Sequence, residues 1–235
     1  MPTIEKDYIS GELIPIDKPL HWTSFDVVGK LRWLLCRRLG VKKLKVGHTG
    51  TLDPLATGVV VVCTGKKTKE IDTLQQHVKE YVATLQLGAT TPSFDLEKPI
   101  DKTYPTEHIT QELIDDVLPR FKGEIWQVPP VFSAVKIDGK RAYEYARKGE
   151  EVDIKPKLLV IDEIEQLGFD VASMQLTLRI VCSKGTYIRA LARDIGEALG
   201  SGAHLIALRR TRVGDIRVDD CVTIEQIEKE LRLTS

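Results

Sequence analysis

Apolar positions change their period repeatedly along this chain, and the changes mark out a series of short elements. The segment GELIPIDKP reads as a short strand that ends at Pro19, because proline lacks the N–H a ladder needs. Thr23, with Asp26 three residues later, has the pattern of a helix start. Val27, Leu31, Leu34 and Leu35 then fall on one helical face, Lys30, Arg37 and Arg38 lie off it, and Gly40 stops the helix. A glycine-punctuated loop, GHTGTLDPLATG, follows and runs into VVVVCTG, whose β-branched run predicts a buried strand.

Beyond it, KKTKEIDTLQQ is expected to be helical and EYVATLQLG alternates as a half-buried strand. Residues 110–121 predict an acidic amphipathic helix, and IWQVPPVFSAVKIDG two short extended pieces around Pro129 and Pro130. RAYEYARKG predicts a short helix, and LLVIDEIEQLGFD and MQLTLRIVCSKG a pair of strands. TYIRALARDIGEALG predicts a helix with Ile188, Leu191 and Ile195 facing inward, ended by Gly200. AHLIALRRTRVGDIRV is expected to be extended, and TIEQIEKELRL a closing helix capped by Thr223. Runs of strands with helices between them, and no regular βαβ alternation, indicate an α+β fold with a mixed, mainly antiparallel sheet. No repeat, low-complexity tract or Pro/Gly/Ser-rich linker interrupts residues 1–235, so one continuous domain is expected.

Composition narrows the setting. An apolar fraction of 42% beside 29% charged residues is that of a soluble globular protein, and no apolar run approaches a membrane span. The start, MPTIEKDYIS, has neither a basic nor an apolar leader region, so a cytoplasmic protein with no membrane association is expected. Cys36, Cys63, Cys182 and Cys221 lie far apart without C-x-x-C spacing, which predicts reduced packing residues and no metal site. Net charge is zero, yet Lys30, Arg32, Arg37, Arg38, Lys42, Lys43, Lys45, Lys66, Lys67 and Lys69 stand together, with Asp53 the only acid among them. The balancing acids fall in Asp95 to Asp116 and Glu150 to Asp170, so a polarised molecule with one basic face is expected.

Chemistry concentrates in GHTGTLDPLATG. Gly47, Gly50 and Gly58 suit a tight loop that a ligand approaches closely. Asp53 sits at its centre, and Pro54 biases it toward an extended conformation, so its carboxylate is presented from a loop. A phosphate-binding loop is excluded by spacing: G-x-x-x-x-G-K-[ST] needs glycine where Val60 stands and Ser or Thr where Lys67 stands.

This loop resembles the signature of the tRNA pseudouridine-55 synthases, the TruB family. IDKPLHWTSFDVV, KEYVATLQLGATTPSFD, VPPVFSAVKIDGKRAYEYARKG, CSKGTYIRALARDIG and GSGAHLIALRRTRVG resemble further family blocks, in the family's order. The resemblance implies the pseudouridine synthase fold with a central active-site cleft, and an isomerase that breaks the N1 to C1′ bond of uridine and rejoins the base through C5, without cofactor or metal. Asp53 is then the catalytic carboxylate, as nucleophile or base, and Arg189 its cationic partner. Tyr81 stacks on the target base and assists proton removal at C5, Tyr187 lines the same pocket, His48 fills space in the T loop, and Leu208 forms an apolar wall. Lys18 and Asp95 match further positions near the cleft, and Arg209 and Arg210 are expected to meet phosphates or acids. The implied partner is tRNA, gripped at the T arm and elbow by a monomer, with the base everted from its stack.

Two departures from the family pattern concern loop shape: His21 stands where the family usually has glycine, and the usual glycine after Asp95 is absent. The chain reaches Ser235 soon after the last catalytic block, so no C-terminal PUA domain is expected. Two other classes compete with the isomerase: a noncatalytic tRNA-binding protein or chaperone, and an RNA glycosidase releasing free uracil. Retention of Asp53, Tyr81, Tyr187 and Arg189 together favours the isomerase.

Overall fold

The structure is a computed structural model that describes residues 6–133, 135–137, 139–146, 150 and 152–232. Strand β1 (Leu13–Lys18) leads into helix α1 (Ser24–Leu39). Its start is the expected capping box: Thr23 Oγ1 accepts the Asp26 N–H at 3.0 Å, and Asp26 Oδ2 accepts the Thr23 N–H at 2.8 Å. Gly40 closes the helix in the left-handed region, at φ 64°, where a side chain is disfavoured. Val27, Val28, Leu31, Leu34 and Leu35 are buried on the inner face. Next come β2 (Val46–His48) and β3 (Ala56–Thr64), so both ends of the glycine-rich segment belong to an antiparallel pair, with Gly47 opposite Cys63 and His48 opposite Val62. The irregular loop is therefore shorter than the sequence suggests. Val59, Val60, Val61 and Val62 are all buried, as a strand covered on both faces requires. A 3-10 turn (Gly65–Glu70) and α2 (Ile71–Leu74) fill the segment expected to be helical.

Strand β4 (Lys79–Leu87) alternates as expected, with Tyr81, Ala83, Leu85 and Leu87 buried. After the short β5 (Ala89–Thr90) and β6 (Lys102–Thr103), helix α3 (Gln111–Val117) continues into a 3-10 turn (Leu118–Phe121). Then follow β7 (Gly123–Gln127), the small pair β8 (Lys136–Ile137) and β9 (Lys140–Arg141), and α4 (Ala142–Ala146). Residues 147–149, the end of the short helix expected here, lie outside the described residues. The long antiparallel hairpin of β10 (Lys157–Asp170) and β11 (Gln175–Cys182) buries Leu176, Leu178 and Ile180. Helix α5 (Ile188–Ala198) buries Ile188, Leu191 and Ile195, and Gly200 beyond it is left-handed. The chain finishes with β12 (Ala203–Val213), β13 (Ile216–Arg217) and α6 (Ile224–Arg232), which Thr223 caps through the Gln226 N–H.

Contacts divide the chain into two compact units: residues up to Glu80 with those from Arg209 onward, and Tyr81–Leu208. In the first, β3 lies between β1 and β12, with β2 also on β3 and β13 on β12. In the second, the strand order is β12–β4–β11–β10–β7. The β1/β3, β2/β3, β7/β10, β10/β11 and β12/β13 pairs are antiparallel, and an isolated parallel bridge joins Ile16 to Val222. The fold is thus α+β. Among the described residues no helix is long and apolar enough to cross a membrane.

Candidate active site

Asp53 is half-buried in the loop between β2 and β3, and the backbone around it is tied down peptide by peptide. The Thr49 N–H bonds Val61 O at 3.0 Å. Ser24 Oγ, from the first turn of α1, receives the Leu52 N–H at 2.8 Å and donates to Leu52 O at 3.2 Å. The Asp53 carbonyl takes the Ala56 N–H at 3.0 Å, and the Pro54 carbonyl takes the His21 N–H at 2.8 Å. His21 reaches it from the left-handed region, at φ 66°. A glycine would take this conformation freely, whereas a side chain here carries a conformational cost. Gly58 has φ 107°, and a Cβ on it would stand 2.1 Å from the Arg210 carbonyl, so only glycine fits.

The two arginines after Leu208 have separate tasks. Arg209 makes a two-point pair with Asp17, at 3.2 and 2.7 Å, and touches Thr57 Oγ1, meeting an acid as expected. Arg210 pairs with no acid among the described residues: buried, it donates from Nε to Val59 O at 2.7 Å, from Nη1 to Thr51 O at 3.2 Å and from Nη2 to Gly50 O at 3.2 Å. Neighbours on a strand point to opposite faces, so adjacent arginines find unlike partners.

Lys18 ends β1 fully buried, its ammonium donating to Pro19 O at 2.9 Å and Trp22 O at 2.6 Å. Burial pushes its pKa down to about 8; the Asp53 carboxylate pulls it upward, Arg210 pushes it further down, and Asp26 raises it. His48 accepts the Gly50 N–H on Nδ1 at 3.2 Å, which requires that nitrogen to be unprotonated. Burial first, and then the Arg210 cation, hold its pKa below the ordinary imidazole value. Lys18, His48, Asp53 and Arg210 thus form one electrostatic neighbourhood inside the first unit.

In the second unit, Arg189 sits in the first turn of α5, buried. It donates from Nη1 to Ser93 O at 3.2 Å and from Nη2 to Phe132 O at 3.1 Å, and its Nε stands 3.7 Å from Asp95 Oδ2. The resemblance implied Arg189 as the partner of Asp53 and put Asp95 near the cleft; within the second unit the fold brings Arg189 and Asp95 into an ion pair. Phe94, in the left-handed region at φ 62°, turns the chain so that Ser93 and Asp95 both reach the guanidinium. Tyr187 precedes α5 and is held by the fully buried Gln127, whose amide accepts the Tyr187 N–H at 2.9 Å and donates to its carbonyl at 3.2 Å. Tyr81 is buried on β4, and Leu208 is half-buried on β12. Ser24 and Gln127 are supports that sequence reasoning missed, and Arg210, expected to meet phosphates or acids, holds backbone carbonyls.

The model for the TruB family pseudouridylate synthase N-terminal domain matches residues 37–188, and that for the tRNA pseudouridylate synthase B C-terminal domain matches residues 189–234. The chain belongs to the TruB family. It is 65% identical over 225 residues to the tRNA pseudouridine synthase B of Phocaeicola vulgatus, covering 96% of this chain and 95% of the relative. The Flavobacterium johnsoniae tRNA pseudouridine synthase B is 51% identical over 228 residues, 97% and 99% of the two chains. Among solved structures, a Cbf5-Nop10-Gar1 complex contains a chain that aligns with TM-score 0.70 and 31% identity over 94% of this one. This chain spans about half of that one's length, 54%. As a TruB family member the protein is a pseudouridine synthase, with the family's fold.

The TruB chain's basic run is less uniform than its sequence suggests. Lys30 pairs with Glu228, Lys67 pairs with Glu70 at 3.1 Å, and Arg32 donates to Val46 O at 3.0 Å. Arg37, Lys42, Lys43, Lys45, Lys66 and Lys69 remain exposed, and among the described residues they make no ion pair. Two cations of the run flank an aromatic: Trp33, half exposed on α1, has Lys30 Nζ 5.6 Å and Arg37 Cζ 5.5 Å from its ring centroid.

Proposed function

We propose that this chain isomerises uridine 55 in the T loop of tRNA to pseudouridine. The 65% identity, over 96% of this chain, to a protein named tRNA pseudouridine synthase B carries the reading. The reaction cleaves N1 from C1′, turns the uracil, joins C5 to C1′ and releases the C5 proton to solvent, so nothing is oxidised and no cofactor is consumed. Asp53 is the reacting carboxylate, either attacking C1′ or removing the C2′ proton to give a glycal. A loop with its peptides fixed on both sides supports that role, because a carboxylate used at bond-forming distance has to be held still before the substrate arrives.

In this reading Tyr81 and Tyr187 hold the everted uracil, Tyr81 assists at C5, Arg189 supplies positive charge, Leu208 gives apolar contact, and His48 occupies the T loop as a neutral ring. Lys18 and Asp95 support the loop and Arg189 respectively. The T arm and elbow bind a single copy of the chain acting as one catalytic domain in the cytoplasm, with Arg37, Lys42, Lys43, Lys45, Lys66 and Lys69 attracting phosphates. Incubation with unmodified tRNA, followed by site-resolved detection of pseudouridine, tests this. The expected product is one pseudouridine at position 55 with RNA mass unchanged; no product, or product elsewhere only, overturns it.

A further inference from the structure

We infer that Arg210 is a positioning residue for catalysis: its buried guanidinium fixes the peptides leading into Asp53 and brings a permanent positive charge to that loop. The inference rests on Asp53 being the reacting carboxylate. Arg210 is 2% exposed, yet all three of its hydrogen bonds go to carbonyls, at Val59, Thr51 and Gly50. Among the described residues no carboxylate pairs with it within 4 Å, whereas its neighbour Arg209 has Asp17. Burying a guanidinium without a counter-ion costs several kcal/mol, and carbonyl dipoles offset only part of that. A lysine could not span the three acceptors, and an apolar side chain would leave them unmet, so the planar fork is what the loop uses.

Two consequences bear on the reaction. Gly50 and Thr51 stand just before Leu52 and Asp53, and their peptide planes are set by Nη2 and Nη1; Ser24 then sets Leu52. With Gly50 the most permissive residue of the loop, that grip removes the freedom that would let the carboxylate drift. The charge also acts on its surroundings: Lys18 and His48 both feel Arg210 as a repelling cation that favours their neutral forms.

Full-length Arg210→Lys and Arg210→Gln test this with unmodified tRNA as substrate. Both are expected to lower kcat by about tenfold or more while KM stays within about threefold, because a guanidinium only 2% exposed leaves almost no surface for substrate. NMR titration of the His48 ring is expected to give an upward pKa shift in Arg210→Gln and little change in Arg210→Lys, which keeps the charge. A kcat within about twofold of the parent in either variant, or a loss matched by the unfolded fraction at the assay temperature, overturns the inference. If the parent chain forms no pseudouridine, the functional reading fails instead. The His48 titration and amide exchange of residues 50–53 then still score the loop clamp, an unchanged pair of readouts counting against it.

Discussion

Asp95 Oδ2 lies 3.7 Å from Arg189 Nε, with the two side chains only 7% and 6% exposed. The remaining nitrogens of the same guanidinium reach Ser93 O and Phe132 O, so one side chain ties α5 to two separated stretches of the second unit, residues 93–95 and Phe132. An ammonium has neither the reach nor the planar fork to hold them together. Arg189→Lys is therefore expected to reduce kcat/KM by at least about tenfold, about 1.4 kcal/mol, despite keeping the charge. Steady-state kinetics on unmodified tRNA decide it, and parental activity would show that charge alone suffices.

Asp53→Asn keeps the size of the side chain and the backbone ties of the loop but removes the anion. Turnover is expected to fall by about a thousandfold or more, with tRNA affinity within about threefold of the parent. Filter binding alongside single-turnover assays separates the two effects. Product yield equal to the parent removes Asp53 from the mechanism.

Lys18 makes stability depend on pH in a definite sense. Its folded-state pKa is lowered to about 8 from 10.5, so folding disfavours the protonated form. Below about pH 8 both states are protonated and the cost is fully present, on the order of 3 kcal/mol; between about 8 and 10.5 the unfolded chain binds more protons, and stability rises with pH. Relative to Lys18→Met, the parent is expected to gain stability between pH 7.5 and 10 in urea titrations, over and above a constant offset from the lost Pro19 and Trp22 hydrogen bonds. Parallel curves for the two proteins would exclude a lowered pKa.

His21 carries a left-handed backbone at the point where its N–H meets Pro54 O. A β-branched residue tolerates that conformation worst and glycine best. His21→Val is expected to lower stability by about 1 to 2 kcal/mol, while His21→Gly leaves it unchanged or raises it by about 0.5 kcal/mol. Thermal unfolding of both variants tests the order, and equal melting temperatures would refute it.

Binding of tRNA is expected to weaken steeply with salt, because the exposed cations Arg37, Lys42, Lys43, Lys45, Lys66 and Lys69 release counterions from phosphates. Four such contacts correspond to a loss on the order of a hundredfold in affinity between about 50 and 200 mM salt. Replacing Lys42, Lys43 and Lys45 together by glutamine should flatten the log–log slope by about 2 to 3. A slope unchanged by these replacements would move the phosphate contacts elsewhere.

Much of the local structure was legible because its causes are local. Thr23 and Asp26 form the cap their spacing announced, Gly40 and Gly200 adopt the left-handed conformations that end their helices, and β4 and the β10/β11 pair follow their alternation. The glycine-rich loop misled at its ends: Gly47 and His48 pair with β3 across fourteen or more residues, and a period-based reading does not register a three-residue strand. The apparent charge of α1 was also overestimated, since Glu228 comes from the far end of the chain to meet Lys30.

The sequence by itself determined the elements, the α+β class, the family, and Asp53 as the residue to watch, because helix caps, strand alternation and ordered motif blocks are written in short runs of residues. Tertiary structure alone decided which distant residues hold the proposed site together. Arg210 reaches back 151 to 160 residues to the Asp53 loop, Gln127 holds Tyr187 from 60 residues away, and Arg189 meets Ser93 from 96. Each is a buried polar group whose partner is a backbone carbonyl or N–H, and the backbone offers the same groups at nearly every position. Side-chain identity therefore carries no mark of the choice, and only folding brings donor to acceptor.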